Sequence, residues 1–193
     1  REMNLHKGEE ESKNLIGLTK LIRRNLELTD CLAVSLADEL EFVETYVNLE
    51  KDSLGADFHY QLEVDEQIDL QAVKVPSMLL QIPVENAIKH GLRLKEGKRL
   101  LQIKVRRTED NQAEITVCDN GGGYRQGSVN HGTGTGMKVI TQTIQLLNMY
   151  NSRPIVVRIN NVEMGENKEL GCEVRFVVPL NYSYQLKKTK KHE

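Results

Sequence analysis

The sequence predicts an α+β fold, a two-layer α/β sandwich in which a mixed sheet is covered on one face by helices and preceded by N-terminal helices. In the first 55 residues, apolar side chains recur every three to four positions, as they do in amphipathic helices. From residue 58 onward, several short segments alternate apolar and polar residues, which is typical of half-buried strands. These strands are mixed with helices and joined by hairpin-length links, a pattern that favours a sheet with its helices on one side.

Two helices are predicted before the first strand. The first covers residues 9–29, and its apolar stripe does not tell whether it packs on its own domain or on a second copy. The second begins at Ser35, where Asp38 stands three residues on as a weak form of the capping box, and it ends near Gly55. Because the chain opens inside the first helical pattern, we expect a severed helical hairpin from a longer protein. The two stripes are Leu15, Leu18, Ile22 and Leu26, and Leu36, Leu40, Val43 and Val47.

The remaining elements follow from changes of period and from proline and glycine. Pro76 opens a predicted helical run that ends at Gly91, and Pro83 inside this run predicts a kink or a restart because proline lacks a backbone donor. A glycine-rich stretch fills residues 121–136 and leads into a helix over 137–149. Strands are predicted at residues 58–64, 101–107, 113–117, 155–159 and 174–178.

The composition excludes several classes of protein. A net charge of −2 gives no sign of a nucleic-acid-binding surface, and the basic tail at the C-terminus is interpreted as a solvated end. Three cysteines without a CxxC pair argue against a disulfide framework or a zinc site and for a reducing compartment. No stretch reaches the roughly 18 apolar residues of a membrane span, and no signal peptide is visible, so we expect any anchor to lie upstream.

The first candidate site lies in residues 85–91, ENAIKHG. On a helix Asn86, Lys89 and His90 stand at i, i+3 and i+4 and share one face. An amide oxygen is a suitable ligand for Mg²⁺, and a lysine supplies charge for phosphates. The alternative is an ordinary polar face that ends in a His90-Gly91 cap.

The second candidate follows the strand predicted at residues 113–117. Asp119 at a strand end can accept a hydrogen bond from an exocyclic amine such as that of adenine. The glycines at 121–123 would let the backbone approach a flat ring closely. The alternative is a plain Asp-Asn-Gly turn between two elements.

The third candidate is the run of alternating glycines at residues 132–136, directly before the helix predicted at 137. The free N–H groups of a helix N-terminus form an anion site of the kind that binds phosphates. No Gly-Lys-Ser/Thr follows, so this is not a P-loop, and the spacing does not fit a dinucleotide fingerprint. Alone, such a loop favours phosphate binding no more than an ordinary turn.

In combination and in this order, the three segments resemble the N, G1 and G2 boxes of the histidine-kinase-like ATPases, which share the Bergerat fold. Residues 171–176 with Pro179-Leu180 look like the last strand of that family, so the resemblance covers about 76–180. A narrower resemblance, to the LytS-type sensor kinases, rests on residues 36–41 (LADELE), Tyr46, residues 76–91 and residues 146–150 (LLNMY).

The resemblance implies a role for each residue of the three boxes. Asn86 would coordinate Mg²⁺, Lys89 would contact the phosphates of ATP, and His90 would line the pocket beside them. Asp119 would bind the adenine amine, and residues 124–131 would form a mobile lid. The pocket wall would be shaped by Gly121 and Gly123, and the phosphates would be held by Gly132, Thr133, Gly134, Thr135 and Gly136.

Two departures from related families qualify the expected activity. Hydrolytic relatives carry a water-activating Glu one turn before the Asn, where this chain has Ile82, so we expect poor ATP hydrolysis. The phosphoacceptor motif His-Phe-Leu-Phe-Asn of the LytS type is absent, and His6 lacks its flanking residues, so the acceptor histidine would lie upstream. A nucleotide-binding pseudokinase that acts through dimerisation, and a hydrolase of the same fold, are the alternatives.

The same resemblance implies the organisation and the partners of the whole protein. Residues 1–55 would be part of the dimerisation helices and a linker helix, 56–181 the catalytic domain and 182–193 a basic tail. The parent protein would be a homodimer, anchored in the inner membrane of a bacterium by upstream segments. It would pass the phosphoryl group to a response regulator, with this domain in the cytoplasm.

Overall fold

The computed structural model describes residues 32–124 and 133–185. The helix predicted at 9–29, His6, residues 186–193 of the basic tail, residues 125–131 of the predicted lid and Gly132 lie outside the described residues. In chain order the elements are β1 (Ala33–Ser35), α1 (Leu36–Leu54), β2 (Phe58–Val64), β3 (Lys74–Pro76), α2 (Gln81–Asn86), a π-helical turn (Ala87–Gly91), a 3₁₀ turn (Leu92–Leu94), β4 (Arg99–Arg107), β5 (Gln112–Asp119), α3 (Thr133–Asn148), β6 (Val156–Met164) and β7 (Glu169–Pro179).

Helix α1 has the predicted limits. The Ser35 hydroxyl accepts the backbone N–H of Asp38 at 3.1 Å, which satisfies one of the free donors of the first turn. Gly55 ends the helix with φ at +78°, a conformation that glycine adopts without strain, and donates its N–H to the Lys51 carbonyl. The stripe on Leu36, Leu40, Val43 and Val47 is buried in the core of this same domain.

Five strands form the main sheet in the order β2-β4-β5-β7-β6. Strands β2 and β4 pair in parallel and the other neighbours are antiparallel, so the sheet is mixed as predicted. The strands β6 and β7 are longer than predicted because their pairing continues past Asn160 and Asn161, where the alternation of β6 breaks, up to the Gly165 turn. Strand β1 pairs only with β3, in a separate two-stranded sheet.

One face of the sheet carries the core. In β4 the side chains of Leu101, Ile103 and Val105 are buried, whereas Lys104 and Arg106 between them point to the other, polar face. The stripes of α1, α2 and α3 belong to the same apolar cluster as these strand residues. The prediction of helices on one face is therefore confirmed, and the fold is a two-layer α/β sandwich.

The region from Pro76 to Gly91 differs from the prediction. Pro76 ends strand β3 instead of opening a helix, and α2 begins at Gln81. Pro83 is the third residue of α2, a position whose N–H has no partner within a helix, so proline is accommodated near the start of this helix. After Asn86 the helix widens into the π turn, which ends at Gly91 as predicted.

Helix α3 also begins earlier than predicted, at Thr133 rather than at 137, because the glycines of residues 134 and 136 are included in its first turn. Its C-terminal end is held by Asn148, whose amide accepts the N–H of Ile155 at 2.8 Å and donates to the Ile155 carbonyl at 2.9 Å. The Tyr182 hydroxyl donates to the same Asn148 oxygen at 2.8 Å.

Across residues 32–124 and 133–185, no helix combines the length and hydropathy needed to cross a bilayer.

Candidate nucleotide site

A cavity of about 530 Å³ opens between α2 with its π turn, the turn after β5, the start of α3 and the β6–β7 hairpin. This volume lies within the range of about 300–1,000 Å³ that is usual for small-molecule sites. The elements come from four distant parts of the chain, which the sheet register brings together. Of the residues predicted to form the site, the lining includes Asn86, His90, Asp119, Gly121 and Gly123.

Asn86 contributes an unsatisfied amide to this cavity. It is the last residue of α2, and its buried Nδ2 atom has no hydrogen-bond partner among the described residues. A buried polar atom without a partner costs about 1–3 kcal/mol, so the position is one that a bound polar group would improve. A rotation of the amide by half a turn presents its oxygen instead, and that oxygen is the donor type that Mg²⁺ takes.

Lys89 does not line the cavity. Its ammonium lies 3.5 Å from the carboxylate of Glu85 on the outer side of the helix. The physical reason is the π turn: hydrogen bonds that reach five residues back widen the helix, so that positions i+4 and i+5 rather than i+3 return to the face of Asn86. His90 and Gly91 therefore lie on the cavity wall with Asn86, and the three-residue face predicted for a regular α-helix is wrong for Lys89.

Among the described residues that line the cavity, Asp119 is the only buried ionisable group, with 8% of its surface exposed. Desolvation raises the pKa of its carboxyl to about 6, and the backbone N–H of Gly121, which donates to Oδ1 at 2.8 Å, opposes that rise. Among the described residues no hydrogen bond reaches the second carboxylate oxygen. This oxygen can accept from a ligand that offers an N–H group.

Glycines make room for the carboxylate. A Cβ atom on Gly121 would lie 2.5 Å from the Cα of Gly91, so the two backbones touch and neither position accepts a side chain without movement. A Cβ atom on Gly171 in β7 would lie 2.2 Å from the Asp119 carbonyl oxygen. Gly123 has φ at +79° and lies against Leu170. The glycines after Asp119 therefore serve close backbone approach, which is more than a simple turn requires.

The predicted phosphate loop is described only in part. Of its residues, Thr133 to Gly136 form the first turn of α3, and Thr135 is exposed. Gly136 lies against Ile82 of α2: a Cβ atom there would be 3.0 Å from the Ile82 Cγ2 atom. Met137, the next residue, lines the cavity, so the start of α3 forms one of its walls. Ile82 is buried with an aliphatic side chain and offers no group that could activate water.

A polar network on the cavity rim was not predicted from the sequence. The Lys95 ammonium lies 2.9 Å from one oxygen of Glu169, which lowers the pKa of this carboxyl, and the Asn120 amide donates to the other oxygen at 2.6 Å. Asn120 also accepts the N–H of Leu100 at 2.7 Å. These residues are far apart in the chain, and no local pattern marks them. Beside the network, the rim carries the exposed apolar side chains of Leu94, Tyr124 and Leu170.

Comparisons with known proteins point to one family. The chain is 28% identical over 166 residues to the sensor protein LytS of Staphylococcus haemolyticus, 82% of this chain and 28% of that protein. It is 25% identical over 194 residues to LytS of Bacillus subtilis, 95% of this chain and 30% of that one. It is also 31% identical over 144 residues to the sensor histidine kinase BtsS of Escherichia coli, 73% of this chain and 24% of that protein. No family model matches the chain.

Solved structures with the same fold come from histidine kinases. The mycobacterial sensor histidine kinase MprB has a TM-score of 0.53 at 14% identity, covering 76% of this chain and 95% of that one. The Acinetobacter baumannii histidine kinase AdeS has a TM-score of 0.55 at 15% identity, covering 92% of this chain and 84% of that one. The predicted resemblance to LytS-type kinases and the predicted fold are confirmed. The chain spans less than a third of the length of the LytS proteins that it matches.

Proposed function

We propose that this chain binds Mg²⁺ and ATP in the cavity and acts as the catalytic domain of a two-component sensor histidine kinase. The observation that carries the proposal is that the orphaned amide of Asn86 and the buried carboxylate of Asp119 line the same cavity. An amide and a carboxylate at separate places in one cavity suit a ligand with a metal-bound phosphate chain at one end and an amino-substituted ring at the other.

The carboxylate end suits the adenine ring. An ionised Asp119 accepts a hydrogen bond from the exocyclic amine through its second oxygen, while Gly121 holds the first. The close contact of Gly91 with Gly121 leaves space for a flat ring beside bare backbone. Apolar contacts would come from Met137, Leu170 and other rim residues.

The amide end suits the phosphates. Asn86 would hold Mg²⁺ through its amide oxygen, with the remaining ligands from phosphates and water, as is usual for this ion. When bound, Mg²⁺ supplies positive charge that neutralises the phosphate oxygens. Lys89 would contact the phosphates after leaving Glu85, and since that ion pair is exposed, its loss costs little. His90, which lines the cavity, and the predicted phosphate-binding residues 132–136 would complete this end.

The absence of a base at Ile82 is consistent with a γ-phosphoryl group that is kept for transfer. The acceptor would be a histidine of the parent protein outside this chain, and the phosphoryl group would then pass to an aspartate of a response regulator. The parent protein would be a homodimer held at a bacterial inner membrane by other segments, with this domain in the cytoplasm. Transfer within this chain alone is not expected.

Calorimetry with a non-hydrolysable ATP analogue tests the proposal. We expect saturable binding that needs Mg²⁺ for full affinity. Asn86→Ala should lower the affinity in Mg²⁺ about tenfold or more, because a metal ligand is removed. Asn160→Ala is the matched control, since Asn160 is an exposed amide on β6 that does not line the cavity. No binding heat with any adenine nucleotide would contradict the proposal.

Transfer itself needs a second experiment. In a longer protein that carries the LytS-type histidine motif before residue 1, we expect acid-labile phosphohistidine from labelled ATP. Binding without phosphohistidine would favour a pseudokinase that acts through dimerisation. Steady release of phosphate by the domain alone would favour a hydrolase and would contradict the interpretation of Ile82.

A further inference from the structure

Glu39 in α1 makes an unusual set of contacts for a carboxylate. Its side chain is buried, with 6% of the residue exposed, and it accepts three backbone N–H groups. The N–H of Met78 donates to one oxygen at 2.7 Å, and those of Leu80 and Gln81 donate to the other at 3.0 and 3.3 Å. These donors form the turn at which α2 begins. Glu39 therefore caps, from another helix, the N-terminus of the helix that carries Asn86.

The turn that Glu39 caps is strained. Met78 has φ at +70°, in the left-handed region, where a residue other than glycine costs on the order of 1–3 kcal/mol. A left-handed residue followed by right-handed ones aims successive N–H groups at a common point and forms a nest for an anion. The carboxylate of Glu39 occupies this nest. Charge-assisted hydrogen bonds from the three N–H groups stabilise the carboxylate and oppose the effect of its burial, which nevertheless raises the pKa of Glu39.

The geometry of this turn is passed on to Asn86. Leu80 already has right-handed helical dihedrals, and α2 runs without interruption from Gln81 to Asn86. Leu80 and Val84 are fully buried, so this short helix has little freedom to adjust by itself. A shift at its first turn therefore displaces Asn86 as well. Asp119, in contrast, is held at the end of β5 by the sheet and by Gly121.

We propose that Glu39 is a positioning residue that sets the place of Asn86 in the cavity and hence the Mg²⁺-dependent part of nucleotide binding. This inference rests on the proposed function. It means that α1, through Glu39, fixes the position of the phosphate end of the site. The pairing of β1 with β3 also fixes the chain directly before the strained turn. The adenine end depends on Glu39 much less.

The first test needs no nucleotide. Glu39→Gln replaces the charged carboxylate with a neutral amide that can accept hydrogen bonds through one oxygen only. The three N–H groups of the nest are then incompletely satisfied. We expect the side-chain amide resonances of Asn86, assigned by their loss in Asn86→Ala, to shift or broaden in nitrogen-15 correlation spectra. Glu41→Gln is the matched control, because Glu41 lies two residues away on α1 with an exposed side chain. It should leave those resonances in place.

The second test separates the two ends of the site. Calorimetry with ADP in Mg²⁺ and in a chelator gives the gain in affinity that the metal brings. Glu39→Gln should reduce this gain about tenfold, as loss of a group that orients a ligand does, and should change the affinity in chelator less than twofold. Glu41→Gln should match the wild type in both conditions.

A third variant tests the role of the strained turn. Met78→Gly adopts a positive φ without strain, so in combination with Glu39→Gln it should return the metal-dependent gain and the Asn86 resonances toward the wild type. If Glu39→Gln does not fold, Glu39→Asp serves in its place, because it keeps the charge and is one methylene shorter.

The outcomes distinguish this inference from the proposed function. A Glu39 variant with a lower melting temperature but unchanged Asn86 resonances and an unchanged metal-dependent gain would overturn the inference, because Glu39 would then only stabilise the fold. Equal losses in Mg²⁺ and in chelator would overturn it too. If the wild type binds no nucleotide, the proposed function fails, and the Asn86 resonances alone decide whether Glu39 positions that residue.

Discussion

Replacement of Asp119 by Asn should change stability and binding in opposite directions. The carboxyl has a pKa of about 6 against an ordinary 3.8, and its largest cause is burial of the charge. At about 1.4 kcal/mol per pH unit, this difference corresponds to about 3 kcal/mol of lost stability once the group is ionised. An Asn oxygen can still accept the N–H of Gly121, and its NH₂ group faces the cavity. Without nucleotide, Asp119→Asn should therefore be more stable than the wild type by about 2–3 kcal/mol at pH 8.

The pH dependence of stability follows from the direction of the pKa shift of Asp119. Because the folded pKa is raised, the wild type keeps its full stability below pH 3.8 and loses the contribution of Asp119 as the pH rises through about 6. The advantage of Asp119→Asn, measured by urea unfolding, should thus be near zero below pH 3.8 and reach its plateau above pH 6. Nucleotide affinity should rise over the same range in the wild type, about tenfold per pH unit below pH 6 since one proton must leave, and should be lost in the variant.

A second aspartate provides the control. The carboxylate of Asp65 is partly exposed and accepts the backbone N–H groups of Gln67 and Arg107, which lower its pKa. Asp65→Asn should therefore lose stability at pH 8, the opposite sign, and leave nucleotide affinity unchanged. An Asp119→Asn variant that is no more stable than the wild type at pH 8 would refute the desolvation argument. One that binds nucleotide as well as the wild type would refute the role of Asp119 in base recognition.

Two further substitutions test the packing around the site. Gly121→Ala places a methyl group on the backbone of Gly91, so it should cost about 1–3 kcal/mol and weaken nucleotide binding, whereas Gly97→Ala, in open space, should leave binding intact. Calorimetry measures the nucleotide affinity of each variant and urea unfolding measures its stability. Wild-type affinity in Gly121→Ala would contradict the inferred contact between the backbones of Gly121 and Gly91. Asn148→Ala leaves the buried Ile155 N–H without its partner and should lower the unfolding free energy by about 2 kcal/mol with unchanged affinity; a loss under 0.5 kcal/mol would contradict this.

Local patterns predicted those elements whose stability is itself local. Helix α1 has both its ends and its buried stripe as predicted, because Ser35 and Gly55 act on neighbouring residues and the stripe needs only the helical period. Strand β2 likewise has its predicted limits, 58–64. The lengths of β6 and β7 were underestimated, since their pairing extends β6 past Asn160 and Asn161, where its own alternation breaks, and extends β7 with it.

The candidate site was predicted at its centre and missed at its rim. Asn86 and Asp119, which both line the cavity, were selected because their residue types and order are informative without knowledge of contacts. The position of Lys89 was wrong because the π turn, which the sequence does not mark, rotates it off the face of Asn86. Lys95 and Glu169 were missed because they meet only through the sheet, 74 residues apart in the chain.

The start of α2 was also mispredicted, and the error has a physical cause that bears on function. A helical run from Pro76 is what a chain without Glu39 would favour, since Met78 then has no reason to adopt a positive φ. The carboxylate of Glu39 compensates for that strain from a different helix and so delays the helix to Gln81. The position of Asn86 is thus decided by a contact with α1, whereas that of Asp119 is decided by strand register. Under the proposed function, the adenine end of the cavity is built rigidly, and the phosphate end is the part that a movement of α1 would change.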